Sequence, residues 1–301
     1  AQPVTWAHWL LAHFWPLQRD RERLAQARQR AAVLPLGAAA LAGTAYPVDR
    51  EALAEALGFD GVSENSLDAV SDRDFAADFL YAGALLGIHL SRLGEQLILF
   101  SSREFGFVLL DDAYSTGSSL MPQKRNPDAL ELARGKAGRL LGNLTGLLAT
   151  LKGLPSTYDK DLQEDKEPVF DTYDTLALAL PVTAGVVQTL TLRPERMAAG
   201  LEAGLLATDL ADYLVGQGVP FREAHELVGR AVQLAEEQGV GLDALTPAEL
   251  RALDPRFGHD DQALQAVFDV GAALARRNVR GGTGPAAVAA QLERARALLP
   301  S

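Results

Sequence analysis

Cysteine is absent from the chain, which excludes disulfides, cysteine-ligated zinc and a thiol nucleophile. Lysine is scarce: of 28 basic residues five are lysine and 23 are arginine. Histidine occurs five times, at His8, His13, His89, His225 and His259, never in the His-Glu-x-x-His spacing that holds zinc on a helix. No metal site is therefore expected. A basic excess is lacking too. Against 39 acidic residues the 28 basic ones leave a net charge of −11, which argues against a nucleic-acid or membrane-surface partner. No run is suited to lipid. The longest uncharged stretch, Thr175 to Leu192, contains Pro181, Gly185, Gln188 and four threonines, and fits a buried bundle helix better than a bilayer span. The opening Ala1-Gln2-Pro3-Val4 lacks an initiator methionine and shows no signal-peptide pattern. The expectation is a soluble, cytoplasmic protein whose abrupt start marks a portion of something longer.

What is present is helical. Apolar residues make up 48% of the 301 positions, enough for a large core, and they recur at spacings of three and four. Trp6, Leu10, Leu17 and Leu24 begin a first helix in which Pro16 predicts a kink or a break. Ser71-Asp72-Arg73-Asp74 has the form of a capping box, followed by the stripe Phe79, Leu86, Leu90, Leu93, Leu97 and Phe100. A third helix carries Leu130, Ala133, Ala137, Leu140, Leu144, Leu147 and Leu151, with Pro127 at its start and Gly153 and Pro155 beyond its end. Gly135, Gly138, Gly142 and Gly146 weaken this helix by up to ~1 kcal/mol each relative to alanine, which predicts close approach of another helix backbone there. A fourth long helix spans about Glu167 to Leu192, and Arg193-Pro194 ends the pattern. The reading is an all-α protein: a long-helix bundle over residues 1–193 and a small helical domain over 194–301.

The chemistry concentrates between the second helix and the fourth. All five lysines (Lys124, Lys136, Lys152, Lys160 and Lys166) fall within 43 residues. A lysine is a compact charge with three rotatable donors, a role the planar arginine fork does not fill, although chance clustering gives the same pattern. Lys136, on a helix flank, is expected to be merely solvated, and Lys152 and Lys160 to be structural or solvated. The segment from Tyr114 to Pro127 is dense in Gly, Ser and Pro and feeds the N-terminus of the third helix. Hydroxyls, an ammonium and an amide beside that positive helix end form either a carboxylate site or a plain serine-rich capping loop.

The run Gly117-Ser118-Ser119-x-Met121-Pro122-x-Lys124-x-Asn126 resembles the signature loop of the fumarase/aspartase superfamily. Within it, Gln123 and the stretch from Pro155 to Glu167 resemble the argininosuccinate lyases. The resemblance implies a long-helix bundle of the fumarase/aspartase type and cofactor-free elimination of argininosuccinate to fumarate and arginine, a step of arginine biosynthesis. It also implies a homotetramer with active sites shared between subunits. Carried over by position, Ser118 transfers a proton, Lys124 stabilises the developing charge, and Glu131 raises the basicity of a histidine. Ser119, Gln123, Asn126, Tyr158, Gln163 and Lys166 bind substrate. That histidine belongs to a Thr-x-His element which in the family precedes the Ala-Gln-Pro stretch, so the chain is expected to be an incomplete part of the enzyme. For Glu131 a first-turn carboxylate facing the helix dipole is the plainer reading. His225, beside Glu226, is read as a helix-surface histidine. Two other readings stay open: an inactive structural homologue of the delta-crystallin kind, and a sister lyase acting on adenylosuccinate.

Overall fold

The apolar spacing of three and four produces long helices in the computed structural model, which describes residues 2–299. The first half of the chain forms α1 (Trp6–Ala31), α2 (Arg50–Leu57), α3 (Ser66–Ser71), α4 (Asp74–Ser101), α5 (Asp128–Leu151) and α6 (Lys166–Thr189). The remainder forms α7 (Pro194–Ala199), α8 (Ala207–Gly216), α9 (Phe221–Gln238), α10 (Pro247–Leu253), α11 (Asp261–Gln265), α12 (Val270–Arg276) and α13 (Pro285–Leu298). Strands among the described residues are two residues long. β1 (Val33–Leu34) pairs in parallel with β2 (Gly61–Val62), β3 (Val108–Leu109) runs antiparallel to β6 (Thr191–Leu192), and β4 (Thr116–Gly117) runs antiparallel to β5 (Arg125–Asn126). The architecture is all-α.

The chain divides into two compact units, one spanning Trp15–Arg193 and the other comprising the residues from Pro194 onward with the opening segment up to Phe14. α1 belongs to both, and it runs unbroken through Pro16 where a break was one expectation.

In the Trp15–Arg193 unit α4 is the central helix, with Leu80, Leu86, Leu90, Leu93 and Leu97 buried along it. Leu86 and Leu90 pack with Leu140 of α5 and Leu176 of α6, while Ala76 and Leu80 pack with Leu147. Burial of a leucine stabilises by roughly 1.5–3 kcal/mol, so this seam is a large part of the unit's stability. Glycines set its spacing. A Cβ at Gly87 would stand 3.5 Å from the Ala137 Cα, and one at Gly94 would stand 3.2 Å from the Leu130 carbonyl oxygen.

Two expectations are corrected here. Gly135, Gly138, Gly142 and Gly146 of α5 have nothing within 4 Å of their Cβ positions, so the close approach within this chain falls on α4 instead. Nor does Ser71 cap α4: its hydroxyl donates to the Leu67 and Asp68 carbonyls at the end of α3, and α4 starts after Arg73, with the Asp74 N–H donating to Asp72 Oδ1 at 2.7 Å.

One buried polar cluster crosses this unit. Asp20, 1% exposed, accepts from Arg23 Nη1 at 2.9 Å and pairs with His89 Nδ1 at 2.6 Å, tying α1 to α4.

The other unit has its own core around Leu210, Leu214, Leu227, Ala231, Leu250 and Phe257. Thr246 and Glu249 form a reciprocal capping box at the start of α10. Asp209, 3% exposed, accepts from Arg276 at 2.9 Å and from Arg277 at 2.7 Å. Burial alone would raise the Asp209 pKa, but donation from Arg277 and Arg276 outweighs it and holds the group below the usual carboxylate range. Folding thus favours the ionised form. Its stabilising contribution is complete above the unfolded pKa of about 4 and is lost as pH falls through the lower folded value. Asp209→Asn leaves two arginines facing an uncharged partner and should cost on the order of 3 kcal/mol at neutral pH. Urea denaturation is expected to show that difference shrinking as the pH is taken below about 4.

Candidate active site

β4 and β5 close residues 118–124 into a loop, with Thr116 opposite Asn126 and Gly117 opposite Arg125. The base of the loop is anchored from several sides. Thr116 Oγ1 donates to Asp128 in the first turn of α5, Arg125 pairs with Asp112 at 3.1 Å, and Ser115 Oγ donates to the Asp111 carbonyl at 2.9 Å. Inside it, Ser118 Oγ accepts from the backbone N–H groups of Leu120 at 3.2 Å and Met121 at 3.1 Å. Two donors aimed at one hydroxyl oxygen stabilise negative charge on it, which is what a serine needs to move a proton. Lys124 is exposed and has no carboxylate partner among the described residues, so its ammonium is available to an anion. Ser119 and Gln123 are exposed and Asn126 is half-buried at the end of β5. Leu120, 85% exposed, stands at the loop tip.

α5 starts after Pro127, which supplies no side-chain cap, and carries Asp128 and Glu131 in its first turn. Glu131 is exposed. Its charge contributes to raising the pKa of Arg134, which is raised chiefly by its hydrogen bond to Glu95.

A second group of expected site residues lies between α5 and α6, on and around the 3-10 helix Lys160–Asp165. Gln163 Nε2 donates to the Tyr158 hydroxyl. Lys166 Nζ donates to Asp165 Oδ1 at 2.7 Å, while Arg73 Nε donates to Asp165 Oδ2 at 2.5 Å. The buried Asp165 thus binds two cations, neither of which the sequence pattern connects to it. Thr157, next to Tyr158, has φ +89°, and Ala39 has φ +53°. Among the described residues these are the two non-glycine positions of positive φ. Each stores of order 1–3 kcal/mol of strain, and such strain persists where surrounding structure holds it. A cavity of about 600 Å³ lies beside them, lined by Ala39, Ala69, Arg73 and Tyr158 among others.

The two groups are at opposite ends of α5. Its 24 residues, at 1.5 Å each, separate them by about 36 Å. Ser118 and Lys124 therefore do not meet Tyr158, Gln163 and Lys166 within one chain.

Other residues settle as follows. Lys136, expected to be solvated, is half-buried against the α5–α6 groove and is one of the groups that lower the Asp171 pKa. Burial of Asp171 works in the opposite direction and is outweighed by donation from Asn143 and Arg139. Lys152 and Lys160 are exposed, and His225 lies on α9 with its ring 6.4 Å from that of Phe221. Among the described residues no group of three or more metal-ligating side chains exists, and no helix is long and apolar enough to cross a membrane.

Comparison with known proteins adds to this geometry. The family model described as Lyase matches residues 1–142, and that described as Argininosuccinate lyase C-terminal matches residues 204–275. The argininosuccinate lyase of Roseiflexus sp. (strain RS-1) is 63% identical over 296 residues, which are 98% of this chain and 64% of that protein. The crystal structure of EDDS lyase in complex with formate superimposes with a TM-score of 0.87 at 31% identity, covering 99% of this chain and 61% of that one. A variant of EDDS lyase with bound fumarate superimposes equally well, at 0.87 and 30% identity over the same shares. This chain accordingly spans just under two thirds of the length of the relatives it matches. Long helices carrying a Gly-Ser-Ser loop ahead of α5 are the architecture of the fumarase/aspartase superfamily. Within that superfamily the chain belongs to the argininosuccinate lyase family.

The Asp165 cluster makes its own prediction. Asp165→Asn leaves the largely buried Arg73 without its counter-charge, at a cost of about 3 kcal/mol, while the exposed Lys166 turns to solvent. The midpoint of chemical denaturation is expected to fall accordingly, and Asp165→Glu to recover part of the loss.

Proposed function

We propose that the enzyme to which this chain belongs is a cytoplasmic argininosuccinate lyase of arginine biosynthesis, eliminating arginine from argininosuccinate to give fumarate without a cofactor. The observation that carries the reading is the setting of Ser118, whose Oγ accepts two backbone N–H groups inside a loop that also presents Lys124 and Asn126.

In this reading a proton is removed from the carbon beside a succinyl carboxylate, and its electron pair moves into that carboxylate. The resulting aci-carboxylate carries one more negative charge than the substrate. Lys124, Asn126 and the N–H groups of the loop face that charge, and a single preorganised donor of this kind contributes ~3 kcal/mol. The electron pair then returns to form the carbon–carbon double bond, the carbon–nitrogen bond breaks, and the departing arginine nitrogen takes up a proton. Ser118 serves one of the two proton transfers. Glu131 supports the histidine of the family's Thr-x-His element. Ser119 and Gln123 contact the succinyl end, while Tyr158, Gln163 and Lys166 complete the substrate site from the other end of a helix.

A site divided over about 36 Å requires more than one chain, and the surface of α5 favours this. Its glycine stripe faces open space, and the adjacent α5–α6 groove exposes Leu132 at 65% and Leu178 at 67%. Apolar surface of this kind with small residues alongside suits another helix, which supports the reading of a homotetramer with shared sites.

Two measurements test the reading. In the full-length enzyme Ser118→Ala should lower fumarate release from argininosuccinate by about 100-fold or more, with the assembly intact by light scattering. Near-parental turnover would remove Ser118 from the mechanism. Gly138→Leu, which has ample room in the single chain, should dissociate the assembly and abolish activity together. A tetramer unaffected by that change would place the interface elsewhere.

A further inference from the structure

Gly185 lies in the last third of α6, and it is the ring of Tyr114 that occupies the space its side chain would need. A Cβ built on Gly185 would stand 2.9 Å from Tyr114 Cε1, with Cζ and the hydroxyl oxygen closer still. The ring lies directly against the α6 backbone, and alanine is the smallest residue that would displace it. Tyr114 closes the 3-10 helix Asp112–Tyr114, which is capped by Asp111 through the Ala113 N–H at 2.8 Å. Two residues further on, β4 opens the loop that holds Ser118, and Thr116 joins that strand to α5 through Asp128.

The loop of residues 118–124 is thus exposed at its tip and tied at its base, with one tie to α5 and one to α6. The first is a hydrogen bond. The second is steric, a ring in a seat that only glycine leaves open.

We infer that Tyr114 and Gly185 are positioning residues for the lyase reaction: the seat on α6 fixes the ring, the ring fixes the start of β4, and β4 fixes where Ser118 points. The inference rests on the proposed role of Ser118. Hydrogen bonding by the Tyr114 hydroxyl is not what the seat uses, because no partner for it is found among the described residues. Steric fill is the device, made by the hydroxyl oxygen and by the ring carbons Cζ and Cε1 behind it, which phenylalanine keeps.

The energetics separate this role from a merely structural one. Glycine inside a helix is weaker than alanine there, so Gly185→Ala by helix propensity alone would leave the fold as stable as the parent or more so. A displacement of about 1 Å at a reacting group, in contrast, costs up to about 100-fold in rate.

The test uses the full-length enzyme and measures kcat, KM, melting temperature and assembly for Gly185→Ala, Tyr114→Phe, Tyr114→Ala and the double variant Gly185→Ala with Tyr114→Ala. Gly185→Ala is expected to lower kcat by at least about tenfold with the tetramer retained and the melting temperature not reduced in proportion. Tyr114→Phe keeps the ring and should retain parental kcat, whereas Tyr114→Ala should lose it. The double variant should be no slower than the slower single variant, since both changes remove the same contact. Parental kcat in Gly185→Ala, or losses that multiply in the double variant, would overturn the inference, as would inactivity of Tyr114→Phe. If Gly185→Ala fails to fold, the contrast between Tyr114→Phe and Tyr114→Ala decides. Absence of argininosuccinate turnover in the parent enzyme would instead sink the functional reading on which this one rests.

Discussion

The close approach of α4 to its neighbours is the constraint from which the rest follows. Gly83, Gly87 and Gly94 lie on that helix where it meets α5 and α6, and their missing side chains let Thr172, Leu140 and the Leu130 carbonyl come within van der Waals range. Close-packed helices shift as rigid bodies, so fixing α4 against α5 also fixes what α5 carries at its ends. Leu130 is the third residue of α5, immediately after the loop that presents Ser118 and Lys124. The spacing of the core and the placement of the candidate chemistry are therefore one geometric fact.

The chain separates its donors by charge and by distance. At one end of α5 hydroxyls, an amide and an unpaired ammonium surround a helix start, which suits a dicarboxylate. At the other end the cations are already engaged, Arg73 and Lys166 sharing the buried Asp165, and the uncharged pair Tyr158–Gln163 faces outward. A straight helix serves as the rod between them. Under the proposed function, such a division makes self-association part of the site itself, since no rearrangement of one chain shortens an α-helix of 24 residues.

The helices were legible in the sequence because their apolar residues recur every three or four positions, and α5 lies between Pro127 and Gly153 as its punctuation predicts. The loop was legible from its Gly, Ser and Pro content, and its candidate residues from their resemblance to a family signature. What escaped were pairings between distant segments. Asp165 and Arg73 are 92 residues apart and Asp20 and His89 are 69 apart, and no local pattern announces which arginine or histidine a buried carboxylate will take. Ser71 misled for a related reason: a hydroxyl at a helix junction serves whichever helix reaches it, and α3 ends where the motif suggested that α4 begins. The α5 glycines were read as demanding close company, and among the described residues no helix of this chain supplies it, because a count of small residues does not say which neighbour they face.

The arginine-for-lysine bias has a practical meaning for protein chemistry. Every side-chain amine lies between Lys124 and Lys166, a stretch that runs from the last residue of the loop through α5 and the turn bearing Tyr158 to the start of α6. Lys124, Lys152, Lys160 and Lys166 are exposed, while Lys136 is half-buried in the groove beside α6. An acylating reagent that ignores guanidinium groups would therefore leave the side chains of α1, of α4 and of everything beyond α6 untouched. Peptide mapping after such labelling would report occupancy of the candidate site, with the protection of Lys136 as an independent reading of the groove.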